Sequence, residues 1–309
     1  MSETGNLIFL PRNTSVSNLI CVVDRLGNII DKDSIPLTII EKVGKKLNSL
    51  DISPNGEILA FTGRSFGIHD IWLLNLASGA PERITFDPAE EEAPVWSPDG
   101  NKVAYTTAGA IYRLFIQNLD SAGNPHLVRS WPHHIHFTSW SPDGKWLAAY
   151  DNTSTNGTDC YTISVKSGES IPVATSQANE TNGQFSPDGR WLAFESDESG
   201  RSEIYVITFP KLENKKQISI DGGSRPRWDR SGKFIYYISN GFMIAQPVEL
   251  SKEFKRGNPI KLFMAHAMDF DLSPDGQRFY LVRKNLKRPN EPLHLITNWF
   301  QELENKKSN

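Results

Sequence analysis

A four-residue string returns along this chain at an almost constant interval, and that recurrence restricts the fold more than any other feature. It reads Ser53-Pro54-Asn55-Gly56, Ser97-Pro98-Asp99-Gly100, Ser141-Pro142-Asp143-Gly144, Ser186-Pro187-Asp188-Gly189 and Ser273-Pro274-Asp275-Gly276, with a worn copy at Asp229-Arg230-Ser231-Gly232. Successive copies start 44, 44, 45, 43 and 44 residues apart. The chemistry of the string is that of a tight turn. Proline presets φ for the first corner, and Asp or Asn follows with a short side chain that bonds local backbone. Glycine then takes the left-handed conformation that closes a three-residue hairpin loop. Each copy therefore predicts a link between two antiparallel strands.

Apolar residues keep fixed offsets from these turns. Ile52, Trp96, Trp140, Phe185, Trp228 and Leu272 precede the string, and Leu59, Val103, Leu147, Leu192, Ile235 and Phe279 stand three residues beyond its last member. A third strand follows, as in 70–74 and 203–207, and a weaker fourth precedes the next turn, as in 82–85 and 216–219. Four short strands per period make one propeller blade, which cannot bury its two faces alone and must stack on neighbours around an axis. The fold class is thus all-β: a β-propeller of four-stranded antiparallel blades, each with its Ser-Pro-Asp-Gly hairpin. Six turns give six blades. Seven stay open, because 2–5 resembles a degenerate seventh turn and seven periods nearly fill 309 residues. Strands are expected at 6–10, 18–24, 278–283 and 293–297, and the ring is expected to close by combining strands from both termini. The domain expectation is one propeller over 1–297 and a short amphipathic helix or tail over 298–309, with Trp299, Phe300 and Leu303 on one side.

Charge removes some function classes. Thirty-three Lys and Arg against 36 Asp and Glu give a net −3, without the basic footprint of a nucleic-acid binder. No apolar run reaches the length of a membrane-spanning helix, so membrane insertion is not expected, and a monomer is. Cys21 and Cys160 form no metal-type spacing and read as free thiols. The amino-terminal residues 1–5 show no secretory pattern.

Several stretches go beyond the turn. They are 85–89 leading into 94–100, then 185–193 with 198–201 and 203–206, then 271–279, and the terminal Asn298-Trp299-Phe300-Gln301-Glu302-Leu303. With the repeat, they resemble the TolB-like β-propellers of bacteria over nearly the whole chain. They also resemble the C-terminal propeller region of bacterial serine/threonine kinases and related surface proteins. That resemblance implies a protein-interaction or sensing module, usually outside the cytoplasm, and carries over no catalytic residue. The chain itself shows neither a kinase part nor a membrane span, so its compartment is not fixed by the likeness.

Candidate sites follow from the connections between the outer strand of one blade and the inner strand of the next, which meet at one mouth of the central channel. Those connections hold Glu90, Glu91 and Glu92, then His133, His134 and His136, then Asn179 and Glu180, Ser224 and Arg225, and His266 and Asp269. All twelve are candidate binding residues for a polar ligand or a peptide. His134 and His136 share a face if extended, as a pair of metal-binding imidazoles would. No Cys or carboxylate stands near them at ligand spacing, so they read as a solvated loop and no metal or cofactor is assigned. The acids 87–92 could supply oxygens to a hard cation but read equally as a solvated loop. Gly63-Arg64-Ser65-Phe66-Gly67 matches a hydrolase nucleophile pattern, yet that motif needs a strand-to-helix elbow and here a strand follows. Asp70 with Arg64, and Glu203 with Arg201, read as structural ion pairs across hairpins.

The expected function is therefore a non-catalytic scaffold that binds a protein or peptide through the channel mouth. One alternative is a lactonase- or esterase-like propeller using a metal or polar cluster at the channel. Another is the detached sensor portion of a larger signalling protein.

Overall fold

The computed structural model describes residues 7–9, 18–30, 49–284 except 66, 121–122, 154–156, 175 and 252, and 294–296. Among these residues the chain is all strand and turn, arranged as six antiparallel blades. Blade I holds Leu50–Ile52, Ile58–Ser65, Ile68–Asn75 and Pro81–Arg83. Blade II holds Glu90–Trp96, Lys102–Ala108, Tyr112–Asn118 and His126–Trp131, and blade III holds His134–Trp140, Trp146–Thr153, Gly157–Ser164 and Ser170–Ala174. Blade IV holds Glu180–Phe185, Trp191–Ser196, Glu203–Thr208 and Lys216–Gln217. In blade V, Ser224–Trp228, Phe234–Ser239 and Phe242–Glu249 are followed by two short partners of the last strand, Lys255–Arg256 and Ile260–Met264.

Blade VI shows how the ring closes. Ala267–Leu272 and Arg278–Lys284 come from the end of the propeller, and Asn18–Asp24 joins them as third strand, paired from Asn18↔Lys284 to Asp24↔Arg278. The expected strands at 18–24 and 278–283 thus meet in one blade. Asn18–Lys284 form one compact unit; Met1–Ser17 with Asn285–Asn309 form a second, in which Leu7–Phe9 pairs antiparallel with His294–Ile296. These two strands make a two-stranded sheet of their own. The degenerate turn at 2–5 and the helix expected in 298–309 lie outside the described residues. No helix among those described is long and apolar enough to cross a membrane.

The turn string works through its first residue as well as its proline and glycine. Ser186 Oγ accepts a hydrogen bond from Trp191 N at 2.9 Å and donates to Asp188 Oδ1 at 2.7 Å, while Gly189 N closes onto Ser186 O at 2.9 Å. The glycine has φ 69°, in the region that favours it. Ser53, Ser97, Ser141 and Ser273 repeat the pattern. The worn copy exchanges the two roles: Asp229 Oδ1 accepts from Phe234 N at 2.8 Å, and Ser231 Oγ donates to the other Asp229 oxygen. Its Asp-x-Ser order conserves the hydrogen bonds with the side chains transposed.

Burial follows the fixed offsets. Leu59, Val103, Leu147, Leu192, Ile235 and Phe279 are all fully buried. Six apolar clusters form, and each bridges two adjacent blades. Leu59, Phe61 and Leu74 of blade I pack on Val22, Tyr280 and Val282 of blade VI, and Leu114 and Ile116 of blade II pack on Ile135 and Leu147 of blade III. The other four clusters fill the remaining blade interfaces.

A polar ring adds to this packing on the axial side. The residue two places before each turn string lies on an innermost strand, and five of the six tie one blade to another. Asp271 accepts from Ile52 N at 2.8 Å, Asp51 accepts from Trp96 N at 2.6 Å, and Ser139 Oγ accepts from Phe185 N at 3.2 Å. Gln184 O accepts from Trp228 Nε1 at 3.0 Å, and Arg227 Nε donates to Phe270 O at 3.1 Å. Burial, then the charge of Asp271, pushes the Asp51 carboxyl well above its ordinary range.

These turn contacts predict a ranking. Ser186→Ala strands Trp191 N without its acceptor and should cost about 1–3 kcal/mol. Pro187→Ala loses only backbone restriction and should cost about 1 kcal/mol or less. Denaturant unfolding of both variants checks the order, and a larger loss for Pro187→Ala would contradict it.

Candidate functional site

The innermost strands do not run straight into the channel. In blades II to VI the pairing register of the first strand slips, between Glu92 and Val95, Phe137 and Ser139, Thr181 and Gln184, Ser224 and Arg227, and Ala267 and Asp269. Three residues at these bulges, Ala93, Asn182 and Arg225, have φ of 55–56°. Each stands four places before its turn string. A bulge bends the strand and re-aims the next side chains. Here the result is a polar cavity of about 410 Å³ on the axis, to which every blade contributes. Asp51, Glu92, His136, Asn182, Arg225 and Asp269 represent blades I to VI in its wall.

One side of the cavity gathers acid and imidazole. His134 Nε2 and His136 Nε2 lie 2.8 Å apart on the inner strand of blade III. Glu92 Oε2 reaches across from blade II to 3.6 Å from His136 Nε2 and 3.8 Å from His134 Nε2. Its other oxygen, Oε1, is 3.0 Å from Nδ1 of His69, on the third strand of blade I. Glu90 Oε2 lies 3.8 Å from the same nitrogen. Aromatic rings fix the imidazoles: His136 stacks on Tyr150, its partner in the register, at 5.5 Å between centroids, and His134 meets Tyr112 edge-on at 5.0 Å. The neighbouring imidazoles of His134 and His69 hold the Glu92 carboxyl well below the usual carboxylate range. Burial, then the charge of His134, pushes His136 down to about 4 against the pull of Glu92. At neutral pH that ring is therefore uncharged.

The opposite side is cationic and largely tied down. Arg227 Nη2 is 3.2 Å from Asp269 Oδ1, and Arg225 Nη1 is 3.8 Å from the same oxygen. Arg225 N donates to Glu195 Oε2 at 3.0 Å, and Asn182 Nδ2 donates to the same oxygen at 2.9 Å. Arg225 keeps more of its side chain exposed than Arg227 and is the freer cation.

The sequence candidates divide under this geometry. Glu92, His134, His136, Arg225 and Asp269 line the cavity. The others do not. Glu91 is buried, 1% exposed, because alternation along the strand turns it away from Glu90 and Glu92. Glu180 is buried beneath Ser176, whose Oγ donates to it at 2.6 Å. Asn179 binds Asp197, Ser224 Oγ donates to Ile238 O, and His133 and His266 are exposed. The expectation of loops is corrected too: Glu90–Glu92, His134 and His136 belong to inner strands. The acidic run 90–92 cannot present three carboxylates to one cation, since its middle member points elsewhere. No carboxylate stands near the histidines in sequence, but Glu92 reaches them in space from the preceding blade.

Sequence reasoning missed Tyr150, Asn182 and Arg227 in the cavity wall and His69 behind Glu92. Only the 44-residue offset carried a signal: Glu92 and His136, like Glu90 and His134, are equivalent positions of consecutive repeats. Residues 63–65 end the strand Ile58–Ser65 and the next strand starts at Ile68, so the nucleophile-like motif has no helix after it. Glu203 pairs with Arg201 as expected, at 2.7 Å. Asp70 pairs instead with Arg83 at 2.7 Å, and Arg64 turns to Gly67 O. Cys160 is a buried free thiol, and burial pushes it up to about 12.

Comparison with known proteins agrees with this architecture. Residues 108–257 match the family model of the TolB β-propeller domain. The uncharacterized peptidase YuxL of Bacillus subtilis is 27% identical over 164 residues, which cover 50% of this chain and 23% of that one. The matched segments span less than two thirds of the curated relatives' own length. Among solved structures, a TolB-like protein from Agrobacterium tumefaciens superposes with a TM-score of 0.64 at 20% identity, covering 87% of this chain and 99% of that one. An oligogalacturonate lyase in complex with manganese superposes with a TM-score of 0.58 at 13% identity, covering 97% and 84%. Both likenesses concern the fold alone.

The buried Glu91 gives a pH-dependent prediction. Burial pushes its carboxyl up to about 7, against a hydrogen bond from Thr85. A carboxyl raised in the folded state adds stability below its unfolded pKa, near 4.5, and that stability is lost as pH rises through about 7. Glu91→Gln should therefore unfold several degrees higher than the parent at pH 8 and match it near pH 4.5. Thermal melts across that range check this, and identical Tm differences at both ends would refute it.

Proposed function

We propose that this TolB-like β-propeller is a binding module that receives a short polar segment of a protein partner in the mouth of its central channel. One observation carries the reading: all six blades send inner-strand side chains into one cavity, with an acid and imidazole wall facing Arg225 and Arg227. Such a wall offers acceptors to one end of a peptide and donors to the other. A rigid ring that holds these groups loses little entropy when a ligand binds.

A pull-down with three proteins tests it. The parent is compared with His134→Ala/Arg225→Ala, altered in the channel, and with Lys166→Ala, altered at an exposed turn. A partner held by the parent and the turn variant but released by the channel variant is the expected result. Equal capture by all three would place recognition elsewhere.

The convergence of Glu92, His134 and His136 beside Tyr150 favours a second reading, in which the same cavity performs metal- or acid-base-assisted chemistry on a small polar substrate. The manganese-bound lyase and the peptidase relative are enzymes by name, which supports testing it. Turnover of lactones, esters or oligogalacturonate that disappears in His134→Ala is the outcome expected under this reading. No turnover with added manganese or zinc would remove it.

A further inference from the structure

We propose that Glu92, His134 and His136 form a mononuclear site for a divalent transition-metal ion of the zinc class, open to the channel. The donor atoms are the argument. Two ligands held about 2.1 Å from one tetrahedral ion stand about 3.4 Å apart; the two Nε2 atoms, 2.8 Å apart and sharing a hydrogen bond here, reach that spacing by a small rotation of either ring. Glu92 Oε2 lies beyond hydrogen-bond reach of both, at 3.6 and 3.8 Å, yet within the span of a shared coordination shell. It points where three ligands would converge on one centre.

The donor set selects the ion. Two imidazoles and one carboxylate suit zinc and its first-row neighbours and are too nitrogen-rich for calcium or magnesium. Three protein ligands at the wall of the channel leave further positions for water or for a donor from a ligand, the pattern of open rather than closed sites. All three side chains are partly exposed, so an ion can enter.

The surroundings fit the same role. His69 Nδ1 holds the second Glu92 oxygen at 3.0 Å, although burial leaves its Nε2 with no partner among the described residues. A buried imidazole nitrogen without a partner costs stability. That cost is tolerated where the other nitrogen orients a ligand carboxylate, so His69 is a positioning residue. Tyr150 and Tyr112 lock the two rings. The contacts of the cluster join blades I, II and III, so the site needs these three blades packed on one another.

This site underlies the catalytic reading but requires neither turnover nor a protein partner, so its test stands apart from both. Untagged full-length protein, stripped with chelator, is titrated calorimetrically with zinc chloride. One equivalent should bind in the micromolar range or tighter. His134→Ala and His136→Ala should each weaken binding at least 100-fold, and His133→Ala should not change it. If His136→Ala does not fold, as judged by its melt, the more exposed His134→Ala decides. Cobalt(II) should give visible absorption bands in the parent; His69→Ala should shift them and weaken binding about tenfold, the usual size of such an outer-ligand effect. No saturable binding by the parent, or equal affinity in parent and His134→Ala, overturns the proposal.

Discussion

Every blade of this molecule depends on its neighbours for burial. A four-stranded sheet has two apolar faces and no covering layer of its own, so each face must be closed by the next blade. The six clusters obey that rule without exception among the described residues: each joins two blades and none is internal to one. An open arc would leave two faces and an edge strand in water. Closure is therefore the condition on which the other contacts rest, and the chain meets it by placing Asn18–Asp24 beside Arg278–Lys284.

Closure also determines where chemistry can gather. Once blades are locked at their interfaces, residues one period apart in sequence become neighbours around the axis. Glu92 and His136 come together for this reason, with Glu90 and His134 one pleat further along the same strands. The polar ties two residues before five of the six turns fix the inner strands to one another along the cavity. A wall built on tied strands holds its side chains more narrowly than a loop would, and so small differences in repeat sequence translate into defined differences in the wall.

Much of the fold was legible because its determinants are local or periodic. The turn string names its own geometry, and Leu59, Val103, Leu147, Leu192, Ile235 and Phe279 are buried as their fixed offset demands. The role of the leading serine was not read, although the worn copy held the clue: Asp229 and Ser231 make sense only if both side chains hydrogen-bond. The candidate site was legible in part. Position in the period brought His134, His136 and Arg225 to attention. It could not show that Glu91 turns inward while Glu92 turns to the channel, because the strand's starting point and its bulge decide that. Nor could it show His69 behind Glu92, since that contact crosses from one blade's third strand to the next blade's first.

The wall is also less symmetric than the ring that carries it. Turn residues and core residues barely differ between repeats, whereas the residue five places before the turn string is Glu92, His136, Thr181, Ser224 and Met268 in successive blades. Ring closure makes little demand for that variety: Glu92 and His136 line the cavity, whereas Met268 packs against the cluster between blades VI and I. A purely structural channel would tolerate any polar residue at each place. Instead, acid and imidazole occur together on adjacent blades and Arg225 and Arg227 stand across from them. The asymmetry gives the cavity a direction, and a directed cavity can tell one end of a ligand from the other. Recognition in this molecule is thus a property of the few positions that the repeat leaves free, presented by the many that it does not.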